Sequence, residues 1–207
     1  MDYIEKIKKI KIIPVIALDD ANDAVLLAKA LISGGLQIAE VTFRTDAAAD
    51  SIKAIKKECP EMLLIAGTVL TTAQVDEAIN AGGDVIVAPG FNGKIVDYCK
   101  SKRVPIIPGV ATASEIEQAI EHEINVVKFF PAEAMGGVKT IKALSGPYNK
   151  IKFMPTGGIN LENMKDYLNL SQVISVGGSW MVSKELIKNK KFDEITKLTL
   201  EAVKSLD

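Results

Sequence analysis

The sequence predicts an α/β protein, a (β/α)8 TIM barrel with a short N-terminal helix, and two features support that fold class. Apolar, β-prone segments recur eight times along the chain, with starts about 20 to 26 residues apart. Stretches with helical periodicity separate most of them, and this alternation is typical of parallel strands connected by helices. Because the 207 residues contain no linker and no shift in composition, we expect residues 1–207 to form one domain.

The expected strands are the eight β-prone segments, and a helix is expected at each end of the chain. The strand segments are residues 12–18, 38–43, 63–67, 85–88, 105–110, 125–130, 151–155 and 173–176. A helix over residues 3–9 precedes the first strand. Residues 192–206 form the last helix, because Ile195, Leu198 and Ala202 recur on one face.

End signals locate the helices between the strands. Residues 25–32 have helical periodicity, and Gly34 and Gly35 close that helix. Cys99 lies on the apolar face of another helix. Three pairs have the spacing of a capping box: Thr71 with Gln74, Thr112 with Glu115, and Ser114 with Glu117.

Charge and composition exclude several classes of function. The formal net charge is -1, so the chain has no general attraction to nucleic acid or to an anionic membrane. Cys59, Cys99 and the single histidine, His122, encode neither a disulfide framework nor a His/Cys metal site, and His122 reads as part of a polar helix end. The first residues lack the apolar core of a signal peptide, and no apolar run is long enough to span a membrane. We therefore expect a cytoplasmic protein.

Lys128 stands inside an apolar, β-prone run, residues 125–133. Strand alternation places it on one face with Val126 and Phe130, and the opposite face is apolar too, as in a strand of a parallel sheet. Because apolar surroundings disfavour a charged ammonium group, the side chain must reach solvent or a partner, or lose its proton and become an amine nucleophile. The alternative is a lysine that extends along the strand edge into water.

The second strand has one polar face and one apolar face. Glu40, Thr42 and Arg44 alternate with apolar residues. If the apolar face packs on helices, the polar face points into the barrel, where a glutamate and an arginine indicate a function. The alternative is a structural ion pair of Glu40 with Lys128 or Arg44.

The carboxyl ends of the strands are where a barrel of this kind carries its function. The third, fourth and fifth strands end in small residues with glycine or a hydroxyl group, at residues 66–68, 88–92 and 108–112. Such residues let a ligand approach the backbone, although they also suit any tight turn.

The last two strands end in a more specific pattern. Residues 155–160 and 176–180 each place paired glycines and a hydroxyl group between a strand and a helix, where backbone amides can converge on an anion. These ends follow strands seven and eight, the recurrent phosphate site of this fold. The pattern favours a phosphate site over simple turns. The expected ligands are Thr156, Gly157, Gly158, Gly178 and Ser179.

Taken together, these motifs resemble the 2-keto-3-deoxy-6-phosphogluconate aldolases, a family that includes 4-hydroxy-2-oxoglutarate aldolase activity. The resemblance covers nearly the whole chain. Its motifs are residues 40–45, 66–70, 88–90, 108–112, 127–133, 155–159 and 177–180. It implies a (β/α)8 barrel that assembles as a homotrimer, acts on a small 2-keto acid or its phosphosugar form, and needs no cofactor and no metal.

The resemblance also implies roles for individual residues. Lys128 forms a Schiff base with pyruvate, and Glu40 moves protons. Arg44 and Thr68 hold the carboxylate, and the pyruvate end also includes Pro89 and Phe130. The implied reaction splits 2-dehydro-3-deoxy-6-phosphogluconate into pyruvate and glyceraldehyde 3-phosphate, and 4-hydroxy-2-oxoglutarate into pyruvate and glyoxylate. An amine nucleophile in a dry site suits this cleavage, because a protonated imine delocalises the carbanion that is left behind.

Two other classes of function stay open from the residues. One is a metal-dependent aldolase or isomerase on the same barrel, with oxygen ligands such as Glu40 for magnesium, which would lose activity in chelator. The other is a non-catalytic phosphosugar-binding barrel in which Lys128 is only a counter-charge. Such a protein would bind its ligand without trapping it covalently.

Overall fold

Helices and parallel strands alternate along the chain in the computed structural model, which describes residues 3–206. The strands are β1 (Ile12–Ile16), β2 (Ile38–Thr42), β3 (Leu63–Gly67), β4 (Val85–Val87), β5 (Ile106–Ile107), β6 (Gly109–Val110), β7 (Val126–Phe129), β8 (Lys152–Pro155) and β9 (Val176–Gly178). The helices are α1 (Tyr3–Ile10), α2 (Ala24–Ser33), α3 (Ala48–Glu58), α4 (Thr72–Ala81), α5 (Gly93–Ser101), α6 (Ala113–Glu121), α7 (Gly137–Ser145), α8 (Met164–Leu168), α9 (Lys184–Lys188) and α10 (Phe192–Lys204). The predicted α/β alternation and N-terminal helix are confirmed.

The strands pair in parallel and form two sheets. The first sheet has six strands in the order β5-β4-β3-β2-β1-β9, and the second has three in the order β6-β7-β8. Isolated parallel bridges join Phe153 to Val173 and Thr156 to Gly177, where β8 approaches β9. The predicted parallel pairing is confirmed, but its ladders form two sheets rather than one continuous ring of eight strands.

The predicted fifth strand, residues 105–110, is divided at Pro108. β5 lies before this proline and pairs with β4, while β6 lies after it and pairs with β7. Proline has no amide proton to donate to a ladder, although the Pro108 carbonyl still accepts from the amide of Lys128 at 2.9 Å. The missing amide proton of Pro108 is therefore the local cause of the division between the two sheets.

The predicted eighth strand, residues 173–176, is wrong in its bounds. In the structure β9 includes Gly177 and Gly178, which pair with β1, although paired glycines had indicated a turn. A methyl group at Gly177 would overlap the side chain of Thr156, and one at Gly178 would overlap the Trp180 ring. These neighbours fill the space of the missing side chains, so the glycines extend the sheet. The other strands agree with prediction to within two residues at either end.

Two apolar cores cover the two faces of the strands. The larger lies against the helices and includes Ala39 and Val41 of β2 and Val127 and Phe129 of β7. The second contains strand residues of both sheets together with Ile7 of α1 and Ile174, which lies just before β9. Its strand residues are Ile13, Ile38, Leu63, Ile65, Val85, Val87, Ile107 and Met154. Because strand side chains alternate, Glu40, Thr42 and Lys128 point toward this second core. The prediction of an inward polar face on β2 is confirmed for Glu40 and Thr42.

The helix caps agree with the sequence at two of the three predicted pairs. Thr112 and Glu115 form a reciprocal capping box at the start of α6. The Thr71 side chain accepts from the amide of Gln74 at the start of α4. The cap predicted at Ser114 is wrong, because α6 already begins at residue 113 and Ser114 lies inside it.

Candidate active site

Lys128 and Glu40 meet at the second core. Lys128 Nζ lies 2.8 Å from Glu40 Oε1, although 88 residues separate the two in the chain. The two side chains are only 5% and 0% exposed. Because Glu40 is on β2 and Lys128 is on β7, this ion pair joins the six-stranded sheet to the three-stranded one. The alternative of a lysine extended into water is wrong, whereas the expectation of a partner is confirmed.

The second oxygen of the Glu40 carboxylate has no partner. Glu40 Oε2 is buried and accepts no hydrogen bond from residues 3–206. A buried acceptor in that state costs about 1–3 kcal/mol, so stability alone does not explain it. The Lys128 ammonium also lies 5.4 Å from the centroid of the Phe130 ring. The carboxylate therefore holds the lysine with one oxygen, and its other oxygen faces the same buried region beside Phe130 without a bond to residues 3–206.

Gly67, at the end of β3, makes room for this carboxylate. A methyl group at Gly67 would overlap the Oε1, Cγ and Cδ atoms of Glu40. Gly67 pairs with Thr42, two residues after Glu40 on the neighbouring strand. Sequence reasoning placed Gly67 only in a strand end and missed this role. The signal lay in a glycine opposite a polar strand face, where a close approach of side chains is common.

Arg44 lies past the end of β2, so the alternation that assigned it to the face of Glu40 and Thr42 does not extend to it. Its side chain is exposed, and its Nε donates to Thr42 Oγ1 at 3.1 Å. The Thr42 hydroxyl in turn donates to the carbonyl oxygen of Ile16 at 2.8 Å. These two hydrogen bonds place the guanidinium group beside the ends of β1 and β2.

Three further residues predicted for the pyruvate end follow neighbouring strands. Thr68 follows β3, is half-buried and has a φ of 57°, a left-handed conformation that is rare for threonine. Pro89 follows β4, and its carbonyl lies where a side chain at Gly109 would stand. Phe130 follows β7 directly. The three residues thus lie at the same carboxyl edge of the sheets as Lys128.

The loop after β8 carries the first half of the predicted phosphate site. Thr156 is buried, and its Oγ1 has no hydrogen-bond partner within residues 3–206. Gly157 and Gly158 have φ values of 106° and 77°, which a side chain would strain. The bridge between Thr156 and Gly177 engages the Gly157 amide, whereas within the same described residues the Gly158 amide donates no hydrogen bond. The loop therefore offers one hydroxyl group and the Gly158 amide to a ligand.

The second half of the predicted phosphate site lies at the end of β9. Gly178 is the last residue of that strand, and Ser179 follows it as the exposed N-cap residue of a 3-10 helix, Trp180–Val182. The Ser179 side chain makes no capping bond. Since the bridge between Thr156 and Gly177 joins the two loops, the structure brings the five predicted phosphate residues to one place.

Glu133 and Tyr167 form a contact that sequence reasoning missed. The Tyr167 hydroxyl donates a short hydrogen bond to Glu133 Oε1, beside the loop after β7. Burial, and then the hydrogen bond to Glu133, raise the pKa of Tyr167 well above its ordinary value. Glu133 was visible as the last residue of the lysine motif. Tyr167 carries no signal in the sequence, because only the position of α8 brings it there.

The remaining candidates match their structural interpretation. Cys99 is buried in α5, and Cys59 is buried as well. His122 ends α6, with its Nδ1 3.0 Å from the carbonyl oxygen of Gln118. Between residues 3 and 206, no group of three or more His, Cys, Asp or Glu side chains is placed to hold a metal ion. No helix in that part of the chain is long and apolar enough to cross a membrane.

Comparison with known families identifies related proteins. A family model described as KDPG and KHG aldolase matches residues 3–198. The 2-dehydro-3-deoxy-phosphogluconate aldolase of Haemophilus influenzae is 51% identical over 200 residues, which cover 97% of this chain and 94% of that protein. The KHG/KDPG aldolase of Escherichia coli K12 is 43% identical over 192 residues, covering 93% and 90%.

Solved structures agree with the sequence comparison. The KDPG aldolase of Legionella pneumophila superposes with a TM-score of 0.91 at 40% identity, and the match covers 94% of each chain. That crystal structure holds pyruvate captured at low pH as a covalent carbinolamine intermediate. The 2-keto-3-deoxy-6-phosphogluconate aldolase of Zymomonas mobilis ZM4, solved with 3-phosphoglycerate, superposes with a TM-score of 0.88 at 34% identity over 98% of this chain and 95% of that one.

Proposed function

Because the chain belongs to the family of KDPG and KHG aldolases, it is an aldehyde-lyase, and we propose that it acts through a Schiff base on Lys128. It cleaves 2-dehydro-3-deoxy-6-phosphogluconate to pyruvate and glyceraldehyde 3-phosphate. The proposal includes cleavage of 4-hydroxy-2-oxoglutarate to pyruvate and glyoxylate, since the Escherichia coli relative is named for both activities. The single observation that carries it is the buried 2.8 Å contact between Lys128 Nζ and Glu40 Oε1.

The reaction begins when the Lys128 amine attacks the keto carbon, C2, of the substrate. The Glu40 carboxylate can take the ammonium proton over 2.8 Å, which frees the nitrogen lone pair. The C2 oxygen of the resulting carbinolamine then receives a proton and leaves as water, so that a protonated imine remains. One carboxyl group within direct or one-water reach can serve both transfers.

The cleavage step breaks the bond between C3 and C4. A base takes the proton of the C4 hydroxyl, the C4 oxygen forms the aldehyde carbonyl, and the electrons of the broken bond enter the imine as an enamine. C3 then takes a proton, and water hydrolyses the imine to release pyruvate and the free amine. Glu40 Oε2 is assigned this proton work, because it is a buried carboxylate oxygen beside Lys128 that bonds to no other group within residues 3–206.

The pyruvate carboxylate is held at the ends of β2 and β3 in this proposal. Arg44 is fixed by its hydrogen bond to Thr42, and Thr68 provides a hydroxyl group on the adjacent strand end. Guanidinium groups are well suited to carboxylates, because their donors match both oxygens. Pro89 and Phe130 supply apolar walls that limit water near the imine.

The phosphate group of the longer substrate is held by the two glycine loops. Support comes from the exposed hydroxyl of Ser179 and, within residues 3–206, from the unpaired amide of Gly158 and the unpartnered hydroxyl of Thr156. Backbone amides without side-chain obstruction form concave anion sites. Gly178 is the fifth residue of the proposed phosphate site. The Trp180 ring fills the space that a side chain at Gly178 would need.

The proposal also includes closure of the strands into one (β/α)8 barrel over residues 1–207. β5 and β6 count as one strand interrupted at Pro108, and the two bridges connect the second sheet to β9 and the segment before it. The apolar core shared by both sheets supports this closure. By family resemblance the barrel is a cytoplasmic homotrimer, and sedimentation equilibrium of the purified protein measures its mass in solution.

The test is covalent trapping with pyruvate. Incubation with pyruvate and borohydride should add one reduced adduct, which mass spectrometry locates on the peptide that contains Lys128. The adduct should be lost in Lys128→Ala and retained in Lys152→Ala, which removes a lysine of the adjacent strand β8 whose Nζ donates to the carbonyl of Ser171. Cleavage of both substrates should continue in chelator. An adduct on another lysine, or none, would contradict the Schiff-base assignment.

A further inference from the structure

We infer that Glu133 and Tyr167 are positioning residues that hold the Gly157–Gly158 loop in the geometry needed to bind the phosphate group of the substrate. The inference rests on the proposed function and extends it to two residues that touch neither the reacting carbon atoms nor the lysine. Glu133 follows β7, the strand of Lys128, and Tyr167 lies on α8, which follows the glycine loop. The contact between Glu133 and Tyr167 therefore joins the segments on either side of that loop. We call these two residues, together with the hydrogen bonds that connect them to the loop, the bracket.

One side of the bracket is made by the backbone. The Ala132 amide donates to the Thr156 carbonyl at 2.8 Å, and the Glu133 amide donates to the Gly157 carbonyl at 3.0 Å. The Thr156 amide donates to the Phe129 carbonyl of β7 at 3.0 Å. The glycine loop thus takes its position from the strand end that carries Lys128.

The other side of the bracket is made by side chains. Gly158 approaches Glu133 so closely that a methyl group on it would overlap the glutamate Cβ and Cγ atoms. The Gly158 carbonyl accepts from Asn163 Nδ2 at 3.1 Å, just before α8. The Tyr167 hydroxyl then joins α8 to the Glu133 carboxylate. Gly158 is therefore held between a glutamate side chain and the start of a helix.

Burial makes the tyrosine side of this bracket rigid. Tyr167 is 1% exposed, whereas Glu133 as a whole residue is exposed and has no other side-chain partner within residues 3–206. Without the hydroxyl, the glutamate side chain would be free to turn into water and leave Gly158 without its neighbour.

The bracket acts on one end of the substrate only. Its contacts reach Gly157 and Gly158, while Glu40, Arg44 and Thr68 make none with Glu133 or Tyr167. Loss of the hydroxyl should therefore weaken binding of phosphorylated compounds and leave imine formation intact. A merely structural role would affect both substrates equally.

The experiment compares Tyr167→Phe with Glu133→Gln and a matched control. Tyr167→Phe removes the donor and keeps the ring, while Glu133→Gln removes the charge and keeps an acceptor oxygen. The control is Tyr148→Phe, which removes another tyrosine hydroxyl bonded to a glutamate, Glu117, at 2.8 Å. Three properties are measured: glycerol 3-phosphate affinity by calorimetry, kcat/KM on the two substrates, and the pyruvate adduct at Lys128.

We expect Tyr167→Phe to weaken glycerol 3-phosphate binding about tenfold, the effect of one charge-assisted hydrogen bond. The ratio of kcat/KM on the phosphorylated substrate to that on 4-hydroxy-2-oxoglutarate should fall by a similar factor, with the adduct still forming. Glu133→Gln, which keeps a weaker neutral hydrogen bond, should lose less affinity than Tyr167→Phe, and Tyr148→Phe should stay close to the parent protein. Equal affinities in Tyr167→Phe and the parent, or a parent that does not bind glycerol 3-phosphate, would overturn the inference.

Failure of the proposed function gives a different result. A parent protein that forms no adduct and cleaves neither substrate would refute the aldolase mechanism. The calorimetric comparison of Tyr167→Phe with the parent would still decide the role of the bracket, because it requires phosphate binding but no catalysis.

Discussion

The two ends of the candidate site differ in the groups that form them and in the elements that carry those groups. At the lysine end, Glu40 and Lys128 are buried strand residues from two sheets, joined by a 2.8 Å ion pair. At the phosphate end, Gly157, Gly158 and Ser179 lie in loops, are at least partly accessible, and offer mainly backbone amides. Strands thus carry the proposed covalent chemistry, and loops carry the proposed recognition of an anion.

This difference has a physical reason. An imine forms only if an amine, a carbonyl carbon and a proton carrier are held in reacting geometry, and paired strands hold side chains with little freedom. A phosphate group needs several donors arranged around it, and amides in a glycine loop supply them without burying a charged side chain. Changes at the lysine end should therefore affect every substrate, and changes at the phosphate end only the phosphorylated one.

The largest effect is expected for Glu40→Gln, which keeps the shape of the side chain and removes its proton-carrying group. Turnover should fall on the order of a hundredfold or more, because general acid–base work contributes that much. The fall should be equal for both substrates if the lysine end serves both. Steady-state kinetics measure it, with circular dichroism to show that the fold persists. Undiminished turnover would assign the proton transfers to water or to another group.

The next effect is expected for Gly67→Ala, which places a methyl group against the Glu40 carboxylate. A displacement of about 1 Å at a reacting group can reduce turnover by up to about a hundredfold, so we expect a loss of about tenfold to a hundredfold on both substrates. The control is Gly146→Ala, where the nearest atom to the new methyl, the carbonyl oxygen of Ala143, would lie at 3.5 Å. If both variants behave alike, Gly67 does not set the position of Glu40.

A smaller and selective effect is expected for Ser179→Asp, which puts a negative charge at the phosphate end. Like charges in a partly sheltered site repel by about 1–4 kcal/mol, so kcat/KM on the phosphorylated substrate should fall at least about fivefold relative to 4-hydroxy-2-oxoglutarate. Ser179→Asn is the uncharged control of similar shape. An unchanged ratio of the two efficiencies would show that Ser179 is a turn residue and that the phosphate group binds elsewhere.

The smallest effect is expected at Cys99, a potential nucleophile that is buried as Lys128 is but lies in a helix. Burial raises the pKa of its thiol from 9.0 to about 12, so at pH 9 the folded protein should keep it as the unreactive thiol. Iodoacetamide should leave Cys99 unmodified in the native protein and label it in denaturant, as measured by peptide mass spectrometry. Rapid labelling of Cys99 in the native protein would show that burial does not keep its thiol unreactive.

Sequence reasoning located most of the site but not its contacts. Lys128 stands out as a charge in an apolar strand and Glu40 as a charge on the polar face of an alternating strand, and both patterns depend on near neighbours alone. Alternation assigns Arg44 to the face of Glu40 and Thr42, but β2 ends at Thr42 and the chain turns there. The eighth strand was ended too early, because glycines favour turns unless other residues fill their side-chain space, as Thr156 and Trp180 do.

The sequence by itself determined the alternation of strands and helices, the inward polar face of β2, the apolar setting of Lys128 and the two glycine loops. All of these follow from periodicity and conformational preference over a few residues. Only the tertiary structure decided that Lys128 meets Glu40 across 88 residues and that Tyr167 meets Glu133 across 34. Such contacts depend on how sheets and helices pack around a shared core, and no local pattern encodes the distance between two side chains on separate elements.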